Sequence, residues 1–182
     1  MLTWQVIPSR GFETAWVELG DGTLAARGRA MGIDPTPYWL EYELETGPDY
    51  VTKRLRVSVA DGSEERSLDL VKEGDAWLGN GRPIPAVAGA LDCDLGLCPL
   101  TNTMPILRHR FHREPGRHDF LMAWISVPDL EVHASRQTYT HIERREVDAL
   151  VRYASGTFTS DLHVDDDGLV IDYPQLATRI AG

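Results

Sequence analysis

Residues Tyr38–Ala60 read YWLEYELETGPDYVTKRLRVSVA, and their alternation decides the fold. Tyr38, Leu40, Tyr42 and Leu44 fall on one side of an extended chain, and Trp39, Glu41, Glu43 and Glu45 on the other. Successive strand side chains point to opposite faces, so this is a strand with one dry face and one wet face. Past Gly47-Pro48-Asp49 the pattern returns, with Leu55, Val57 and Val59 inward and Arg54, Arg56 and Ser58 outward.

The same period extends both ways. Phe12–Leu19 runs into Gly20-Asp21-Gly22, a strong hairpin turn, and Thr23–Met31 follows. Leu24, Ala26, Gly28 and Ala30 share one face there, small enough to leave room for close packing or for a ligand. Asp61-Gly62 and Glu73-Gly74-Asp75 turn the chain into Arg66–Lys72 and Ala76–Leu78. Asp119–Val127 is apolar on both faces and predicts a strand covered on both sides. Leu130–Ile142, Val147–Tyr153, Thr157–Val164 and Leu169–Tyr173 complete a meander, and Pro174–Ile180 predicts a short terminal helix with Pro at its start. Ten or more strands at this spacing predict an all-β fold: a large antiparallel sheet curled into an open or partial β-barrel, with at most short helices. A sheet this long must curl or close, and a wide barrel leaves interior space. With no linker or repeat, residues 1–182 read as a single β domain.

The chain has 182 residues, 42% hydrophobic and 25% charged, with a formal net charge of −10. That balance opposes nucleic acid and anionic membranes, whose phosphates need Lys and Arg. No apolar run approaches the ~20 residues of a membrane helix, so no stable membrane insertion is expected. Met1–Arg10 has no cationic start before an apolar stretch, so a cytoplasmic location is expected. Cys93 and Cys98 lack zinc spacing and read as reduced, buried thiols. No metal and no cofactor is expected. The oligomeric state stays open, a dimer included.

Among these plain strands one stretch stands out: LDCDLGLCPLTNTMPILRHRFH, Leu91–His112. Pro99 and Pro105 stiffen it, and Thr101, Asn102 and Thr103 suit a tight turn. It reads as a rigid corner presenting Asn102 and Arg108 towards the interior or mouth of the sheet. Arg108, Arg110 and His112 are then expected on one strand face. Asp165-Asp166-Asp167-Gly168 lacks the alternate ligands and distant Glu of a calcium loop and reads as a hairpin turn. No GxSxG and no glycine-rich phosphate loop occurs. Trp16, Trp39, Trp77, Trp124, Tyr139 and Tyr173 could stack sugars, but sheet packing is the better reading for most of them.

Leu91–Arg108 resembles the signature of the bacterial putative glycolipid-binding family, formerly a domain of unknown function. Pro99, Thr101, Asn102, Thr103, Pro105 and Arg108 match that pattern, with Met104 where the family has Leu. Gln137, Tyr139 and Thr140 match its Gln-x-Tyr-Thr element, and VDDDGLVIDYP, Val164–Pro174, matches its closing motif with Asp172 and Tyr173. The resemblance covers almost the whole chain. It implies one curled antiparallel sheet, similar in shape to bacterial lipoprotein and glycolipid carriers.

The leading expectation is therefore a non-catalytic protein that binds a lipid, glycolipid or similar amphiphile. Its tail would lie on Leu40, Tyr42, Leu55, Val57 and Val59, and its head near Asn102, Arg108, Gln137 and Tyr139, with Asp94, Asp172 and Tyr173 as further ligand-binding candidates. A hydrolase or isomerase using Asp94 or Asp172 with Arg108 is the alternative, and a partner-binding module with exposed strand edges is the second. Asp94 and Arg108 could equally form a buried ion pair that pins the corner.

Overall fold

The structure, a computed structural model, describes residues 1–180. Fifteen strands form one sheet. They are β1 (Leu2–Val6), β2 (Gly11–Leu19), β3 (Leu24–Gly32), β4 (Tyr38–Thr46), β5 (Thr52–Ala60), β6 (Glu65–Glu73), β7 (Ala76–Gly79), β8 (Arg82–Pro83), β9 (Asp92–Leu95), β10 (Arg117–Ile125), β11 (Val132–Arg144), β12 (Asp148–Ser155), β13 (Phe158–Asp165), β14 (Val170–Tyr173) and β15 (Ala177–Arg179). From the β8 edge the order descends to β1, continues through β15, and descends again to the β9 edge. The curled, open all-β sheet expected from the alternation is the fold observed. In β4 and β5 the inward residues face each other across the ladder, Leu40↔Val59, Tyr42↔Val57 and Leu44↔Leu55, and all are buried.

Three local expectations are corrected. First, Thr103–Arg108 is a helix, α1, entered from a 3-10 turn at Pro99–Asn102, so Arg108, Arg110 and His112 share no strand face. Pro105 fits because it lies in the first helical turn, where an N–H has no partner to lose. Second, β9 runs parallel to β10, against the antiparallel rule of the rest. Parallel neighbours need a long crossover, and residues 96–116 with α1 provide one. Third, Ala177–Arg179 is a strand: Thr178 pairs with both Gln5 and Asp172, and this ladder overrides the local Pro signal.

That crossover fills the barrel. Leu100, Met104 and Cys98 pack with Leu40, Tyr42, Leu55, Val57 and Val59 in one core cluster. Ile106 and Phe111 pack with Met122, Tyr139, Val151, Leu162 and Tyr173 in the other. The inner wall expected to receive an amphiphile's tail is therefore covered by the chain itself. Gly168, at φ +72°, lets α1 approach the β13–β14 turn, because a Cβ there would lie 2.7 Å from Leu107 Cδ2. The sheet rolls until its β9 edge reaches β5. The Thr52 amide donates to Leu91 O (3.1 Å), and the Cys93 amide donates to Thr52 Oγ1 (3.1 Å). The strand expected to be covered on both sides is so in part: Phe120, Met122, Ala123 and Ile125 of β10 are buried, and Leu121 and Trp124 are half-buried.

The room predicted beside the small residues of β3 is also filled. Gly28 leaves space for the Tyr42 ring, whose Cζ would lie 2.2 Å from a Cβ at that position. The Tyr42 hydroxyl then donates to Glu13, a fully buried acid on the inner face of β2.

Candidate functional site

A pocket of about 390 Å³ opens at one end of the rolled sheet. Its floor is the crossover and the end of β9: Asp94, Leu95, Cys98 and Asn102. Its walls are Trp124 from β10, Tyr153 from β12 and Tyr173 from β14. Turn residues form the mouth: Pro8 between β1 and β2, Asp34 and Pro35 between β3 and β4, Val127 after β10, and Leu176 between β14 and β15.

A polar network lies under the floor. Thr101 Oγ1 donates to Asp94 Oδ1 (3.0 Å), sharing its proton with Cys98 O (3.0 Å), and accepts from the Leu95 amide. Gln137 Nε2 donates to Asp94 Oδ2 (2.6 Å). The Tyr139 hydroxyl donates to Asn102 Oδ1 (2.8 Å), while Asn102 Nδ2 donates to Pro99 O (3.2 Å). The local reason is strand pairing: β10 lies between β9 and β11, with Phe120 opposite Gln137, and one face of all three turns towards α1. Gln137 and Tyr139, two apart on β11, therefore meet Asp94 and Asn102 from below.

No cation answers Asp94 in these contacts. Burial pushes its carboxyl above the ordinary range, with the Gln137 and Thr101 hydrogen bonds pulling back. Burial also pushes the Tyr153 phenol up to about 12 and raises Tyr139 and Tyr173. The three phenols stay neutral at physiological pH and can offer hydroxyl hydrogen bonds. The three rings are packed in a row, Tyr139–Tyr153 at 5.4 Å and Tyr153–Tyr173 at 5.8 Å between centroids.

Of the residues named from the sequence, Asp94, Asn102 and Tyr173 line the pocket, and Gln137 and Tyr139 support it. Arg108 and Asp172 are not brought there. Arg108 makes a bidentate pair with Asp92 in place of the expected Asp94, and donates to Asp49 O (2.8 Å) and Tyr50 O (3.0 Å). Asp92 and Asp94 project from the same face of β9, so their order along the strand decides which one Arg108 meets. Asp172 lies on the opposite face of β14 from Tyr173 and accepts from Thr178 Oγ1 (2.6 Å). The acid–arginine couple assumed for a hydrolase or isomerase is thus absent, since the Arg108 guanidinium is taken up by Asp92 and two carbonyls. Trp124 is one of the six aromatics the sequence offers for stacking, whereas Tyr153 and the mouth turns carry no signal in it. Both cysteines are free and buried, as expected.

A larger hollow, about 740 Å³, lies on the outer face of β2–β6. Its lining holds Trp16, Arg27 and two charge pairs, Arg29–Glu41 at 2.9 Å and Arg56–Glu43 at 3.3 Å, which form a solvated ladder across the strands.

The comparisons with known proteins bear on this geometry. The family model described as "Putative glycolipid-binding" matches residues 1–179. The chain belongs to this putative glycolipid-binding family. The crystal structure of a DUF1089 family protein from Pseudomonas aeruginosa shares 32% sequence identity with this family member, over 92% of each chain, at a TM-score of 0.76. No curated protein sequence matches it. Among the described residues, no helix of this family member is long and apolar enough to cross a membrane.

Proposed function

We propose that the end pocket binds the hydroxyl-rich, uncharged head of a glycolipid, with the tail leaving through the mouth. One observation carries this reading: the pocket holds two polar side chains, Asp94 and Asn102, at its floor and no Lys or Arg in its lining. Fatty acids and phospholipids present anions, which would meet Asp94 with no cation among the lining residues, while Asp34 at the mouth is already paired with Arg10 (3.3 Å). A sugar presents hydroxyls that both donate and accept. Asp94, Asn102 and the Tyr153 and Tyr173 phenols supply matching partners, and the half-buried Trp124 ring supplies a face for the sugar's C–H groups. The volume, at the lower end of small-molecule sites, suits a head group with the start of a chain. The family's description supports a lipid-type ligand.

The reading is tested by calorimetric titration with an alkyl glucoside kept below its micelle concentration, against the fatty acid of equal chain length. Saturable binding of the glucoside alone is expected. Trp124→Ala should weaken it about tenfold, the equivalent of ~1.4 kcal/mol. Tyr173→Phe should weaken it about fivefold without lowering the melting temperature, since one ligand hydrogen bond is lost. Equal binding of the fatty acid, or no effect of Trp124→Ala, would refute the assignment.

A further inference from the structure

The outer face of the sheet changes character at the pocket's end. Phe12 of β2 pairs with Met31 of β3, and Met31 pairs with Trp39 of β4, so the three form one row across adjacent strands. All three point outward, and Trp39 is 74% exposed. The row sits where β2 begins, β3 ends and β4 begins, which is the end that carries the pocket. Ile7 and Ile33, also exposed, extend it into the turns whose neighbours Pro8, Asp34 and Pro35 form the mouth. Five large apolar side chains thus crowd one rim, an arrangement that marks an interaction surface.

What lies behind the rim identifies the occupant. One strand pair further from the mouth, the same face carries Arg29 joined to Glu41, and one further still Arg56 joined to Glu43. This belt, which also holds Arg27 opposite Glu43, carries both signs, and the chain as a whole carries −10. An anionic surface would be repelled, whereas an uncharged or zwitterionic one would not. An apolar aromatic tip above a charged belt is the arrangement that seats at a membrane interface.

We infer that the rim formed by Ile7, Phe12, Met31, Ile33 and Trp39 docks the protein on the surface of a lipid bilayer with net-neutral head groups, holding the pocket mouth against the layer from which the amphiphile is drawn. This rests on the glycolipid reading for the purpose of docking, but the docking itself is measured separately.

The test uses vesicles of pure phosphatidylcholine and a variant carrying Met31→Lys and Trp39→Glu, neither residue being part of the pocket. Flotation should carry the wild-type protein with the vesicles, and the variant should lose about tenfold or more of that association. Replacing a third of the lipid by phosphatidylglycerol should weaken wild-type binding, and raised salt should restore it. Extraction of a long-chain glycolipid from the vesicles should slow in the variant, while its titration with a short-chain alkyl glucoside from solution stays at the wild-type value. Undiminished flotation of the variant overturns the docking surface. So does a wild-type dimer in light scattering that the same substitutions dissociate, because the rim would then be covered by a second copy. Flotation without glucoside binding leaves docking standing and overturns the glycolipid reading instead.

Discussion

Replacing Arg108 with Met lowers the unfolding free energy by about 3–5 kcal/mol, the usual effect of removing one partner from a buried ion pair. Asp92 is fully buried, and burial alone pushes its carboxyl upward; the Arg108 N–H groups are the main influence holding it down. The guanidinium also fastens three pieces of chain. It sits at the end of α1, pairs with β9, and caps the carbonyls of Asp49 and Tyr50. Those two residues have φ of 56° and 57°, a conformation that non-glycine residues hold only when their surroundings enforce it. For a chain of this size the loss corresponds to roughly 6–20 °C in melting temperature. Lys at 108 should rescue little, since it lacks the planar fork that meets a carboxylate and two carbonyls together. The double variant Asp92→Leu with Arg108→Met should recover part of the loss, because the uncompensated charge goes with its partner. Urea unfolding of the four proteins decides it. An Arg108→Met protein that melts normally yet no longer binds glucoside would move Arg108 from the frame into the site.

The second large effect is a loss of stability with rising pH that Glu13 imposes. Glu13 is fully buried on the inner face of β2, where burial raises its carboxyl from 4.5 to about 8 against the pull of the Tyr42 hydroxyl and the Leu100 backbone. It is therefore protonated in the folded chain at neutral pH. The unfolded chain releases that proton above about 4.5, so between the two values the native state binds one proton more. Stability is full below about pH 4.5, falls by ~1.4 kcal/mol per unit as the pH rises, and levels off above about 8. The whole fall is about 5 kcal/mol. Glu13→Gln keeps the shape and the Tyr42 contact but carries no proton to lose, so the difference between its pH profile and the wild-type one should show this slope. Parallel profiles would place the Glu13 carboxylate in contact with water or a cation. Asp92 and Asp94 also lie above their ordinary range and add slope of the same sign, but both proteins share it.

These two groups also show where sequence reading stops. The strands were legible because alternation is local: the inward set of Tyr38–Ala60 is the observed core face. On β2 the same logic misleads. Its large apolar residues Phe12 and Trp16 face out, while Gly11, Glu13 and Ala15 face in, so nothing marked Glu13 as a core acid. The candidate pocket was legible in part. Asn102 and Asp94 from one motif, Gln137 and Tyr139 from a second and Tyr173 from a third do converge on the end pocket. Arg108 came from the same motif and lies elsewhere, since residues two apart on a strand compete for one partner and only the fold chooses between Asp92 and Asp94. The helix at Thr103–Arg108 was hidden by its length, six residues being too few to show a period. The filling of the barrel by that helix was hidden with it, and that moved the expected tail from the inner wall to the mouth.

The central claim is that the end pocket, and neither the outer hollow nor the barrel interior, holds a neutral sugar head group. A crystal structure grown with an alkyl glucoside tests it most directly. The account predicts the sugar ring beside Trp124, hydrogen-bonded to Asp94, Asn102 and Tyr173, with the alkyl chain passing Leu176 and Pro35 towards Ile7 and Ile33. A glucoside seated on the Arg29–Glu41 ladder, or an alkyl chain buried in place of α1 against Leu55 and Val57, would contradict it.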